Sequence, residues 1–150
     1  MTAAQRILQG VGVSVALSLL TPFAPCGRTD PLRDAHAVLE RVFQRGEAAL
    51  LRPLLPRRLK IYLSCGSLGI PEGYYGADQM ILLFDRLFGE RLTTRFSALD
   101  PPQRGADEGQ AVIVAHWQFR PREGPSQEVG LSFALALDGG WTIREIRDLK

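Results

Sequence analysis

Few side chains in this sequence suit nucleophilic or proton-transfer work near neutral pH. They are Cys26 and Cys65, His36 and His116, and the three tyrosines Tyr62, Tyr74 and Tyr75. A cysteine nucleophile needs a nearby base to make thiolate. Cys65 stands between Ser64 and Gly66 with neither histidine close in sequence, so it reads as a small, semi-buried packing residue. His116 alternates with Trp117 and Phe119. Rings pointing inward on such a strand turn the histidine outward. His36 borders the apolar stripe of a helix and reads as a partly exposed packing residue.

Other chemistries lack their motifs. There is no His-x-x-x-His, no Cys-x-x-Cys and no acidic loop of calcium type, so no metal is expected. Gly66, Gly69, Gly73 and Gly76 make a glycine-rich stretch, but no Gly-Lys-Ser/Thr follows and the dinucleotide spacing is missing. No cofactor is expected there. The stretch reads as an irregular connection, with a pocket lid as the alternative. Arg52, Arg57, Arg58 and Lys60 cluster near Tyr62, an arrangement that can present a ring beside phosphate-binding charge. The commoner meaning is a solvated strand face, and the net charge of +2 is too small to imply a polyanion. No nucleic-acid partner is expected.

The 150 residues favour one domain with a real core, and 45% hydrophobic with 23% charged is a globular balance. Arg outnumbers Lys 16 to 2, which favours planar, permanently charged donors without naming a partner.

Residues 1–26 differ from the rest. Arg6 is followed by an apolar stretch from Ile7 to Leu20, and then by Thr21-Pro22-Phe23-Ala24-Pro25-Cys26. That is the layout of a secretory signal peptide. Its apolar part falls short of the roughly 20 residues that span a bilayer as a helix. An exported protein, periplasmic or secreted, is expected. The alternative is a frayed N-terminal helix in a cytoplasmic protein. Two processing routes stay open: cleavage after Cys26, or a lipid on Cys26 that anchors the protein to a membrane. Pro25 and Phe23 depart from the usual lipoprotein pattern.

From Gly27 onward the chain changes texture once more. Asp30 and Pro31 suit the cap and first position of a helix whose stripe is Leu32, Ala35, Leu39, Val42 and Phe43, stopped by Gly46. A short helix is expected from Glu47 to about Leu55. A strand follows over Arg57–Ser64, with Leu59, Ile61 and Leu63 on one side. A third helix runs from Ala77 to about Gly89, with Ala77, Met80, Ile81, Phe84, Leu87 and Phe88 inward and Asp85 on the solvated side. Strands then alternate to the end. Leu92, Thr94, Phe96 and Ala98 share a face, as do Ala111, Ile113, Ala115, Trp117 and Phe119, and Val129, Leu131, Phe133, Leu135 and Leu137. In the last strand Trp141 and Ile143 agree in phase but Ile146 does not, which calls for a bulge near Arg144-Glu145. Helices first and an antiparallel sheet afterwards predict a segregated α+β domain.

That order resembles the nuclear transport factor 2-like superfamily, the cone-shaped cystatin-like roll, and within it small exported bacterial proteins of uncharacterised function. The likeness lies in Tyr75-Gly76-Ala77-Asp78-Gln79 leading into Leu82–Phe88, in Ser132–Leu137, and in the closing Gly140–Arg147. The resemblance implies N-terminal helices on a curved antiparallel sheet over residues 27–150. It also implies, in the superfamily's enzymes, a cavity holding an acid or base with a facing donor. Tyr62, Tyr74, Tyr75, Arg95 and His116 are the pocket candidates on offer, with no catalytic pair to transfer. The expectation is an exported binding or interaction module with an apolar hollow beside the third helix. Its partner is a small molecule or a protein, and homodimerisation through the sheet is a further expectation. The alternative is a small-molecule lyase or isomerase.

Overall fold

The computed structural model describes residues 30–150. The signal-peptide reading of residues 1–26, the tether after it and Cys26 lie outside the described residues.

The first helix, α1 (Pro31–Arg45), forms as its caps dictate. Asp30 accepts the Leu32 amide at 3.1 Å, and Gly46 closes the helix at φ 64, a left-handed conformation that glycine adopts without strain. All five stripe residues are buried. The next segment, Ala48–Leu54, is a 3-10 helix rather than an α-helix. Pro53 inside it supplies no amide donor, which disfavours a longer helical ladder. α2 (Ala77–Glu90) carries half of a capping box: Gln79 Oε1 accepts the Gly76 amide at 2.8 Å. Met80, Ile81, Phe84 and Leu87 are buried, with Ala77 and Phe88 packed beside them.

The strands are β1 (Ile61–Ser64), β2 (Gly73–Tyr75), β3 (Arg91–Ala98), β4 (Gln103–Arg104), β5 (Gln110–Pro121), β6 (Gln127–Leu137) and β7 (Trp141–Leu149). They form one sheet in the order β2-β1-β7-β6-β5-β3, with β4 also on β5. The expected wholly antiparallel sheet needs one correction: β1 runs parallel to β7, so the sheet is mixed. A strand laid beside the last strand by a long chain excursion can take either direction. β1 also starts later than the alternation suggests, leaving Leu59 before it and 53% exposed. The glycine-rich stretch hides the edge strand β2, which pairs Tyr74 with Tyr62.

Two bulges set the curvature. In β7 the register passes from Glu145 opposite Ala134 to Ile143 opposite Leu135, so Arg144 is the extra residue and Ile146 returns to the core. A second, unforeseen bulge lies between Thr93 and Arg95 in β3. It corrects the expected row of Leu92, Thr94, Phe96 and Ala98: Leu92 is exposed, and Arg91 and Thr93 turn toward the interior side instead. Leu137 likewise ends its row outside the core.

Helices and 3-10 segment cover the inner face of the sheet. Aromatic rings crowd the space between. Phe43 meets five other rings: stacked on Phe96 at 4.2 Å, and edge-on to Trp117, Phe88, Phe84 and Phe133 at 5.2, 5.4, 5.9 and 6.0 Å. The expected hollow beside α2 is therefore occupied by the protein's own rings, chiefly Phe43.

Candidate functional site

A catalytic centre in a cone of this kind would need ionisable groups on the inner face. Among the described residues no polar or charged residue is buried. By atom there are exceptions: the Trp117 indole donates to Thr93 Oγ1 at 2.9 Å, so its requirement is met within the wall, whereas His36 Nε2 and one Arg144 guanidinium nitrogen are buried with no hydrogen-bond partner.

Four of the pocket candidates fall into two separate groups outside the core, while Tyr75 is half-buried and packs against it. Alternation along β1 puts Ile61 and Leu63 inward and Tyr62 outward. Its phenol donates to the Glu72 carboxylate, which holds the Tyr62 pKa above the ordinary tyrosine value. The Tyr62 and Tyr74 rings lie 5.1 Å apart, and the Arg147 guanidinium sits 5.7 Å from the Tyr62 ring. Tyr75 is turned away and donates to the Pro71 carbonyl at 2.6 Å.

Arg95 and His116 form the second group, on the outer side of β3 and β5. With Ser97, Gln118 and Glu128 they line a shallow cleft of about 230 Å³. His116 Nδ1 lies 3.4 Å from Glu128 Oε1, and Gln118 donates to the other Glu128 oxygen at 2.9 Å. Both His116 and Glu128 are about half exposed, a setting in which an ion pair contributes little. Tyr62 and His116 are separated by three strand steps, β1 to β7 to β6 to β5. At the usual strand spacing that is about 14 Å. The sheet does not bring these candidates together on one small molecule.

Cys65 is buried, and its thiol points at the Ile146 carbonyl at 3.6 Å. Burial pushes its pKa up to about 12, which keeps it a protonated packing residue. His36 is half-buried at the flank of α1. No group of three or more metal-ligating side chains stands together among the described residues.

Sequence reasoning missed two arrangements. Arg91, on the interior side of β3, lies 5.6 Å from the Phe119 ring and donates to the Leu68 carbonyl at 3.0 Å. The signal was absent because the bulge that turns it inward has no turn residue. The other is an open cleft of about 980 Å³ whose lining includes Arg52, Arg57 and Arg58. The basic run was visible in the sequence, but not the wall that faces it.

No protein-family model matches this chain, and no curated protein does. Solved structures match it by shape. An NTF-2 like protein of unknown function from Shewanella oneidensis has a TM-score of 0.57 at 13% identity, over 79% of this chain and 96% of that one. The Delta 5-3-ketosteroid isomerase from a Mycobacterium species has a TM-score of 0.60 at 15% identity, over 81% of this chain and 94% of that one. A computationally designed 17-OHP binder reaches 0.62 at 15% identity, over 81% and 94%. An isomerase, a binder and a protein of unknown function share this shape, so these likenesses show the fold and nothing of the activity.

Proposed function

We propose that this chain, a nuclear transport factor 2-like cone by fold, is a non-enzymatic binding or interaction module that works through its outer surfaces. The filled interior carries the reading. Phe43 and the rings around it stand where an acid–base pair would need room, and among the described residues no carboxylate is buried; the one buried imidazole nitrogen, Nε2 of the half-buried His36, has no hydrogen-bonding acid or donor beside it to form such a pair. Proton transfer from a dry pocket requires such a group within hydrogen-bond reach of a substrate. The leader-like composition of residues 1–26 supports export as the setting, with a lipid on Cys26 as one route to a membrane.

The outer sheet face is the surface best suited to a protein partner. Val112 and Val114 on β5 lie opposite Ala134 and Ser132 on β6, with Ala136 continuing the row, all half-buried in the single chain. Small side chains let another sheet approach closely. A second copy of this chain is the partner assigned to this face.

Two measurements test the reading. Incubation with a Δ5-3-ketosteroid is expected to yield no isomerised product above buffer. Turnover that disappears in Tyr62→Phe, Tyr74→Phe or His116→Gln would overturn the non-enzymatic reading. Sedimentation of the wild type at high concentration is expected to show dimer, and Ala134→Arg monomer. A monomeric wild type removes the second copy as partner.

A further inference from the structure

We propose that the cleft between the 3-10 segment, the start of α2 and the β6–β7 turn binds a phosphate monoester carried on an apolar body. The cleft of about 980 Å³ is lined by Arg52, Arg57 and Arg58 from one side and by Ala77, Asp78 and Asp138–Gly140 from the other.

Its charges sort into committed and uncommitted ones. Asp78 is held by Arg52 at 3.3 Å, and Asp138 by Arg144 at 3.3 Å. Arg57 and Arg58 have no carboxylate within 4.0 Å among the described residues. Arg57 and Arg58 together bring more donors to the cleft than one carboxylate can accept. A phosphate monoester, with three terminal oxygens and up to two charges, can engage both. The N-terminus of α2, a helix of 14 residues, opens on the same cleft with the positive end of its dipole.

Apolar surface stands beside that charge. Pro53, Pro56 and Leu59 line the same wall, and Leu59 remains 53% exposed although the strand pattern would have buried it. An exposed leucine next to unpaired arginines fits a ligand whose anionic head is joined to a ring or chain. A bare anion would leave that wall unused.

The inference rests on the binding-module reading and deepens it by naming a ligand class. Calorimetric titration of the full chain with phenyl phosphate is the test, with inorganic phosphate and phenol as the two half-ligands. Saturable one-site binding is expected, tighter than for either half. Arg57→Gln/Arg58→Gln is expected to weaken it by about tenfold or more. Leu59→Ala is expected to weaken phenyl phosphate and leave inorganic phosphate unchanged. Arg33→Gln/Arg41→Gln, on the exposed side of α1, removes the same charge elsewhere and is expected to change nothing. An unaltered thermal melt of the Arg57/Arg58 variant confirms that it folds. Absent binding, phenol binding as tightly as phenyl phosphate, or equal loss in the two double variants would each overturn the proposal. None of these results bears on the ketosteroid or sedimentation tests.

Discussion

Phe43 of α1 and Phe96 of β3 lie face to face, with ring centroids 4.2 Å apart and planes 12° from parallel. Neither ring reaches solvent to any useful extent. The first helix thus plugs the sheet it covers, and a fold able to enclose a pocket encloses its own phenylalanine.

Removing that ring has a large expected cost. Phe43→Ala deletes a fully buried side chain from the middle of an aromatic cluster. Loss of transfer energy plus the cavity left behind predicts a destabilisation of about 3–5 kcal/mol. Urea denaturation of wild type and variant measures it, and a loss below 1 kcal/mol, roughly the cost of a single buried methylene, would mean the cluster is not packed as described.

Gly46→Ala is expected to destabilise by about 1 kcal/mol, because a side chain at φ 64 is strained. The Phe88 Cβ, 3.7 Å from the added methyl, leaves ordinary contact distance, so backbone strain rather than a clash is the cause. A melt unchanged by the substitution would contradict the left-handed cap.

The thiol of Cys65 should be silent. With its pKa pushed up to about 12 and its sulfur buried, it is expected to resist a thiol-specific disulfide reagent at mildly alkaline pH in the native protein. Denaturant should expose it to immediate reaction. Fast labelling of the native chain at this residue would show that the β1 end opens readily.

Acid should weaken the protein through three carboxylates. Hydrogen bonding from Ser67 lowers the Asp148 pKa, the Leu32 amide and then Arg104 lower that of Asp30, and Arg86 followed by Arg91 lowers that of Glu90. A carboxyl group with a depressed folded pKa binds fewer protons in the native state than in the unfolded chain. Its contribution is present above the unfolded value of about 4 and is lost as pH falls through the folded one. Asp148→Asn is expected to flatten part of that acid limb in denaturation followed against pH. Added salt should shrink the Arg-dependent share and spare the Ser67 bond, since exposed ion pairs are screened.

Much of this architecture was legible because it follows from local rules. Asp30, Pro31 and Gly46 marked both ends of α1, and strict alternation placed Ile113, Trp117 and Phe133 inward. The phase break between Ile143 and Ile146 revealed the bulge at Arg144. Where pairing alone decides, the signal vanished. Thr94 bulges without a glycine or proline to announce it, and Leu92 therefore faces opposite to what plain alternation predicts. β2 is three residues inside a glycine-rich stretch, and only its partner β1 makes it a strand. The parallel placement of β1 on β7 joins Tyr62 to Glu145 across most of the chain. Periodicity marks Phe43, Phe96 and Trp117 each as core, but their meeting at one point depends on how three elements dock, and no periodicity carries that. For the same reason Tyr62, Tyr74, Arg95 and His116 could be named as candidates but not grouped.

The measurement that bears most directly on the filled interior is a thermal melt of wild type and Phe43→Ala with and without saturating benzene. An apolar cavity takes up benzene, and a ligand bound only by the native state raises the melting temperature. The account predicts no shift for wild type and an upward shift for Phe43→Ala. Benzene stabilisation of the wild type would contradict it, because it would reveal an apolar chamber that Phe43 does not fill.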